Sequence, residues 1–211
     1  MVERWSFGES PLPELAELAV VLRDLTSTVL SLERSSPELE ELIDVLREAQ
    51  HGLAKTAPRD PSPRIGDHAT DDQRVYIDHS RDIGEYNPCF PQYEFRIEGE
   101  EGVGTVEFPV CYEGPPGLVH GGFLAVFFDC VLQHLNCDLG LTGKTAELSL
   151  KFRRPTPLLT PLAVHATRSV EDGRIRAQAE LRLHDKVLCE GLMVAAVGDR
   201  SALPAVSPRR A

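Results

Sequence analysis

An α+β fold is predicted, an antiparallel sheet wrapped around one central helix with a helical hairpin ahead of it, and three observations predict it. The run from Phe123 to Leu132 is apolar on every side except for Asp129, which marks a helix that must be enclosed. Segments on both sides of that run alternate apolar and polar residues with the period of a half-buried strand. Near the N-terminus the leucines recur instead at intervals of three and four, the period of an amphipathic helix.

The first helix is expected to start near Pro13, with Leu15, Leu18, Leu22, Leu25, Val29 and Leu32 on one stripe. Ser36 is placed to cap a second helix with Pro37 at its first position, Leu39, Leu42, Ile43 and Leu46 as its apolar stripe, and Gly52 at its end. Residues 1–54 thus form a hairpin with an acidic outer face. Its expected role is to pack on the main domain or on a sister subunit; binding of another partner is the alternative. From 55 to 72 three prolines and no apolar period mark a linker.

The second unit is expected to span 73–198. Tyr93, Phe95 and Ile97 alternate, as do Val106, Phe108, Val110 and Tyr112, with Gly99 and Gly102 assigned to the turn between these two strands. After the apolar helix come TAELSLKF, LAVHATRSV, RIRAQAELRLH and VLCEGLMVAAV, four further strands. Asp172-Gly173 is a strong hairpin signal between the second and third of these, and Asp185-Lys186 a weaker one between the third and fourth. Residues 199–211 read as a disordered tail.

Composition narrows the partners. A net charge of −11 and a pI near 5.1 argue against a broad nucleic-acid surface or an anionic-membrane surface, which need clustered Lys and Arg. Residues 1–50 hold 11 acidic and four basic side chains, so most of the acidity belongs to the hairpin. Five cysteines without a CxxC pair, and no basic-then-apolar leader, read as reduced thiols of a cytoplasmic protein. No apolar run is long enough to span a bilayer.

The chemistry concentrates in GPPGLVHGGFLAVFFD, Gly114 to Asp129. A carboxylate placed where water is scarce costs several kcal/mol unless partnered, so Asp129 is the leading candidate for a reacting group, as general base on a water or as direct nucleophile. Helical spacing puts Asp129 nearly on the face of Gly122, with the small Ala125 and Val126 between, so that a substrate group is expected to approach glycines and carboxylate together. Glycines at 121 and 122 permit close approach, and free amides at a helix N-terminus suit a developing oxyanion.

This motif, followed by TAELSLKFRRPTPL, resembles the hotdog-fold acyl-CoA thioesterases of the PaaI type and the thioesterase superfamily members. The resemblance implies a helix wrapped by an antiparallel sheet, a double-hotdog dimer or dimer of dimers, active sites at the subunit interface, and hydrolysis of acyl-CoA with no metal or redox cofactor. It assigns the reacting carboxylate to Asp129, nine residues after His120, and the amide that meets the thioester carbonyl to Gly121. Thr145, opening the next strand, would position the attacking water from the facing subunit. Some relatives have a second carbonyl contact, an Asn six residues before the histidine, where this chain has Gly114. His120 would donate toward substrate or fix the loop before the helix. Lys151, Arg153 and Arg154 would lie near the CoA phosphates, with a solvated strand edge as the alternative.

Other readings keep the fold. A hotdog hydratase would pair Asp129 with His134, but five helical residues set these about 140° apart. Cys130 and His134, four apart, have the spacing of a nucleophile and its base, against a buried thiol and a structural histidine. A non-catalytic acyl-CoA or lipid sensor would use the same fold, with the acidic hairpin as its effector surface.

Overall fold

A computed structural model describes residues 7–10, 12–57, 75–78, 83–139 and 145–196. The linker beyond Ala57 and the tail 199–211 lie outside the described residues. Strands β3 (Tyr93–Glu98), β4 (Glu101–Val106), β5 (Thr145–Phe152), β6 (Leu162–Glu171), β7 (Arg174–Leu183) and β8 (Lys186–Ala196) form one antiparallel sheet in the order β3-β4-β6-β7-β8-β5. Helix α3 (Gly121–Asn136) lies against it and buries Leu124, Phe127, Phe128, Val131, Leu132 and Leu135. This is the fold the sequence predicts. Two short strands, β1 (Phe7–Ser10) and β2 (Val75–Asp78), pair antiparallel with one another and were not foreseen.

Side chains explain the close fit of helix and sheet. The ring of Phe128 lies where a Cβ on Gly191 would stand, 2.3 Å from its Cδ1, so the glycine in mid-β8 is what lets α3 approach. The β6–β7 turn has Asp172 at φ 51° and Gly173 at φ 69°, the left-handed pair of a two-residue hairpin. Between β7 and β8 the turn residues are His184 and Asp185, one position earlier than expected, because Lys186 already pairs with Leu183.

Two strand boundaries differ from expectation. Strand β4 ends at Val106 and Val110–Tyr112 form a 3-10 turn, because Pro109 has no amide to continue a ladder; Phe108 and Tyr112 are buried all the same. Gly102 is inside β4 rather than in the turn, and the Phe95 ring of β3 covers it.

The hairpin helices are α1 (Leu15–Leu30) and α2 (Pro37–Thr56). Ser36 has the extended backbone of an N-cap, but α2 runs through Gly52 to Thr56, a glycine inside a helix costing only about 1 kcal/mol. The buried residues of α1 are Ala19 and Arg23, and Ser27 accepts from the Cys111 amide at 3.3 Å. Arg23 donates to the Gly84 carbonyl at 2.7 Å and to Gln92 Oε1 at 2.9 Å. Leu18, Val29 and Leu32 of the expected stripe are exposed, as are Ile43 and Leu46 of α2. The small and polar face of α1 docks on its own chain, and the expected apolar stripe does so only in part, with Leu15, Leu22 and Leu25 half-buried.

Candidate active site

The start of α3 is built by His120. Its backbone is extended, its carbonyl accepts from the Phe123 and Leu124 amides, and its Nδ1 accepts from the Gly122 amide at 3.0 Å. That bond requires an unprotonated Nδ1, so the neutral ring carries its proton on Nε2, which remains a donor. The Gly122 amide is therefore already spent. The Gly121 amide has no acceptor among the described residues and is the free donor of the helix N-terminus. An edge-on aromatic chain, His120 to Phe123 to Tyr112 to Phe108 to Phe127, ties this corner to the core, with adjacent centroids 4.9–6.1 Å apart. Burial pushes the Tyr112 phenol well above its ordinary range, so it stays neutral within that chain.

Asp129 is half-buried on a stripe of α3 that the sheet leaves partly open, with Ala125, Val126 and Gln133. Thr145 Oγ1 donates to Asp129 Oδ1 at 2.8 Å. Gln133 Nε2 in turn donates to Thr145 Oγ1 at 2.7 Å. Oδ2 of Asp129 makes no hydrogen bond among the described residues and is the oxygen available to a substrate or water. Thr145 is thus hydrogen-bonded to the carboxylate of its own chain. Sequence reading missed Gln133, though its distance of four residues from Asp129 was the signal.

Reach along the helix matters as well. Eight residues of helix separate Gly121 from Asp129, a rise of about 12 Å. A nucleophile and an oxyanion donor acting on one carbonyl must each come within about 3 Å of it. One chain therefore does not close the Gly121 amide and the Asp129 carboxylate on the same carbonyl, and eight residues also set them about 80° apart around the helix.

The remaining predicted residues are dispersed. A Cβ on Gly114 would lie 2.8 Å from His120 Cα, so a side chain here is excluded without movement, and the second carbonyl contact of some relatives has no counterpart. Arg153 is paired with Glu190 through Nε at 3.1 Å and Nη2 at 2.8 Å, and its hydrogen bond holds the Glu190 carboxyl below the usual carboxylate range. Arg154 donates to the Val187 carbonyl at 2.7 Å. Lys151 lines a depression of about 520 Å³ with Ser149, His165 and Glu190, whereas Leu150 on the alternate face of β5 packs on the core. The structure does not gather these three cations beside Asp129. Phe152, 59% exposed, lies instead against the Gly121 corner, its Cζ 3.3 Å from where a Cβ would be.

His134 faces away from the carboxylate. Its Nδ1 is 3.3 Å from the Tyr93 hydroxyl and its ring rests on Tyr93 and Phe95 of β3, while Asp129 bonds to β5. Since β3 and β5 are opposite edges of the sheet, Asp129 and His134 do not converge as a hydratase pair. Cys130 is buried.

Comparison with known proteins follows the same lines. No family model matches the chain. A stretch of 62 residues is 36% identical to the acyl-coenzyme A thioesterase THEM4 of Bos taurus, covering 29% of this chain and 25% of that protein's length. A mouse structure, thioesterase superfamily member 2, overlaps half of the chain and 82% of its own at 15% identity and a TM-score of 0.45. The crystal structure of a thioesterase superfamily protein matches 89% of this chain and 97% of its own, at 27% identity and a TM-score of 0.71. In fold, and over nearly its whole length, this chain is a structural relative of the hotdog-fold thioesterase superfamily.

Proposed function

We propose that the protein is an acyl-CoA thioesterase that hydrolyses R-CO-SCoA to the free acid and CoA, at sites shared by two copies of the chain. The observation that carries this reading is the half-buried Asp129, anchored through Oδ1, on a helix whose first amide is that of Gly121, with neither Oδ2 nor that amide paired among the described residues. Two α3 helices lying antiparallel would bring the Gly121 amide of one copy to the Asp129 carboxylate of the other, which removes the separation found within one chain. The stripe of Ala125 and Val126 that the sheet leaves half-open supplies an apolar surface for such a pairing.

In the base mechanism, Asp129 Oδ2 takes a proton from water as its oxygen attacks the thioester carbon. The carbonyl oxygen gains negative charge and is held by the Gly121 amide and the positive end of α3. Collapse of the intermediate breaks the C–S bond; the thiolate leaves and the proton follows it. In the nucleophile mechanism Oδ2 attacks directly and water hydrolyses the resulting anhydride. Either route consumes only water, so no metal or redox cofactor enters the balance. His120, with its donor at Nε2, lies beside the incoming carbonyl. Lys151, on the outer face of β5, and Arg153 and Arg154 just beyond its end are the cations to meet CoA phosphates. Among the described residues no helix is long and apolar enough to cross a membrane, and we assign the protein to the cytoplasm.

The test is release of free thiol from a panel of acyl-CoA thioesters. Wild type should turn over at least one of them, and Asp129→Asn should lose about 100-fold or more in kcat with its fold intact. Tight acyl-CoA binding with no turnover by wild type would instead establish a sensor.

A further inference from the structure

We propose that Gln133 is a positioning residue for Asp129, acting through Thr145 to fix which carboxylate oxygen reacts. The inference rests on the reading of Asp129 as the reacting group. Asp129 and Gln133 are one turn apart on the half-open stripe of α3, and Thr145, the first residue of edge strand β5, closes the bridge between them. A threonine hydroxyl has one proton to give. Gln133 Nε2 fills an acceptor position on Oγ1 at 2.7 Å, so that proton must go elsewhere. Among the described residues two acceptors are in reach, Asp129 Oδ1 at 2.8 Å and the Met193 thioether at 4.0 Å. A carboxyl oxygen at 2.8 Å outcompetes a thioether at 4.0 Å, so the hydroxyl proton points to Oδ1.

The direction of the relay follows from chemistry rather than geometry alone. Were the glutamine carbonyl turned toward Thr145, it would take the hydroxyl proton and leave a lone pair facing the carboxylate. With the amide nitrogen there, the relay favours Asp129 as an acceptor and pins one of its oxygens. Rotation of the carboxylate about its Cβ–Cγ bond is thereby restricted, and Oδ2 is presented to the open side. Thr145 is, in this account, a strut between Gln133 and Asp129, not a free water ligand.

The experiment is a double-mutant cycle of Gln133→Met and Thr145→Val, read in kcat and KM on an acyl-CoA that the wild type hydrolyses. Gln133→Met should lower kcat about tenfold, the worth of one such hydrogen bond, with KM changed less than about twofold. In the Thr145→Val background the same change should have almost no further effect. Gln133→Glu should be worse than Gln133→Met, because a carboxylate at 133 draws the threonine proton away from Asp129. Unchanged kcat in Gln133→Met, or equal losses in both backgrounds, would overturn the proposal. If the wild type hydrolyses no acyl-CoA, the functional reading fails separately. The same cycle read in unfolding free energy then tests the hydrogen-bonded relay by itself, and additivity there contradicts it.

Discussion

The central helix and the N-terminal hairpin have sequence signatures of equal clarity and opposite fates. In α3 the apolar residues are enclosed by the sheet, and the one carboxylate is on the stripe left half-open. In α1 Leu18, Val29 and Leu30 remain exposed and Leu15, Leu22 and Leu25 only half-buried, while Ala19, Arg23 and Ser27 face the main domain. Periodicity identifies a helix and its stripe, but the face that docks is chosen by what the neighbouring surface offers. Next to α1 that surface presents the Gly84 and Asn87 carbonyls and the Gln92 amide, which suit a guanidinium better than a leucine. Arg168 repeats the device at the far end of α3. It is buried, bonds to the Leu135 carbonyl at the helix C-terminus and to Gly99, and pairs with Glu100 at 2.8 Å.

This contrast sets an order of effects. Phe128→Ala, in the enclosed helix, should cost about 3–5 kcal/mol in denaturant unfolding. A loss below about 1 kcal/mol would mean that the contact with Gly191 is not close-packed. Arg23→Ala should cost less, about 1–3 kcal/mol, through carbonyls left without a donor. Leu53→Ser, at a position 67% exposed on α2, should change stability by no more than about 0.5 kcal/mol. A larger, concentration-dependent loss there would show that the leucine face is covered by another molecule. The smallest effect concerns thiols. Burial holds the Cys189 thiol up to about 11, so it should resist a thiol reagent at pH 8 that modifies the exposed Cys89. Its neutral form is the favoured one, so its contribution to stability is complete below the ordinary thiol value of 9.0 and lost as pH rises through about 11.

Much of the sheet was legible because its strands are long and half-buried. Ile175, Ala177, Ala179 and Leu181 of β7 alternate without interruption, and Asp172-Gly173 can hardly be anything but a hairpin turn. Where a single residue broke the period, reading failed. Pro109 ended a strand that the alternation of Val106, Phe108, Val110 and Tyr112 seemed to carry onward. The pairing of β1 with β2 joins positions more than 60 residues apart in strands of four, too short for a period to register.

The site was half legible. Asp129 stood out because a charge in an apolar run has few uses, and Gly121 because the resemblance supplied its role. The relay of Gln133 and Thr145 joins a helix to a strand, a contact between two polar residues that no one-dimensional period encodes. The surroundings of the basic run after Lys151 were not legible, for the converse reason. Its charge is plain in the sequence, but Glu190, which pairs with Arg153, is 37 residues further on and adjacent only through the β5–β8 register.

The central claim is that one carbonyl is served by Gly121 of one copy and Asp129 of another, and complementation measures it most directly. Gly121→Pro removes the free amide while suiting the first position of a helix, and Asp129→Asn removes the base. Each variant alone should be nearly inactive. Refolded together at equal concentration, random pairing should restore about a quarter of wild-type turnover per chain, since half the dimers then carry one intact site of two. Mixed dimers that form and stay inactive would contradict the shared site.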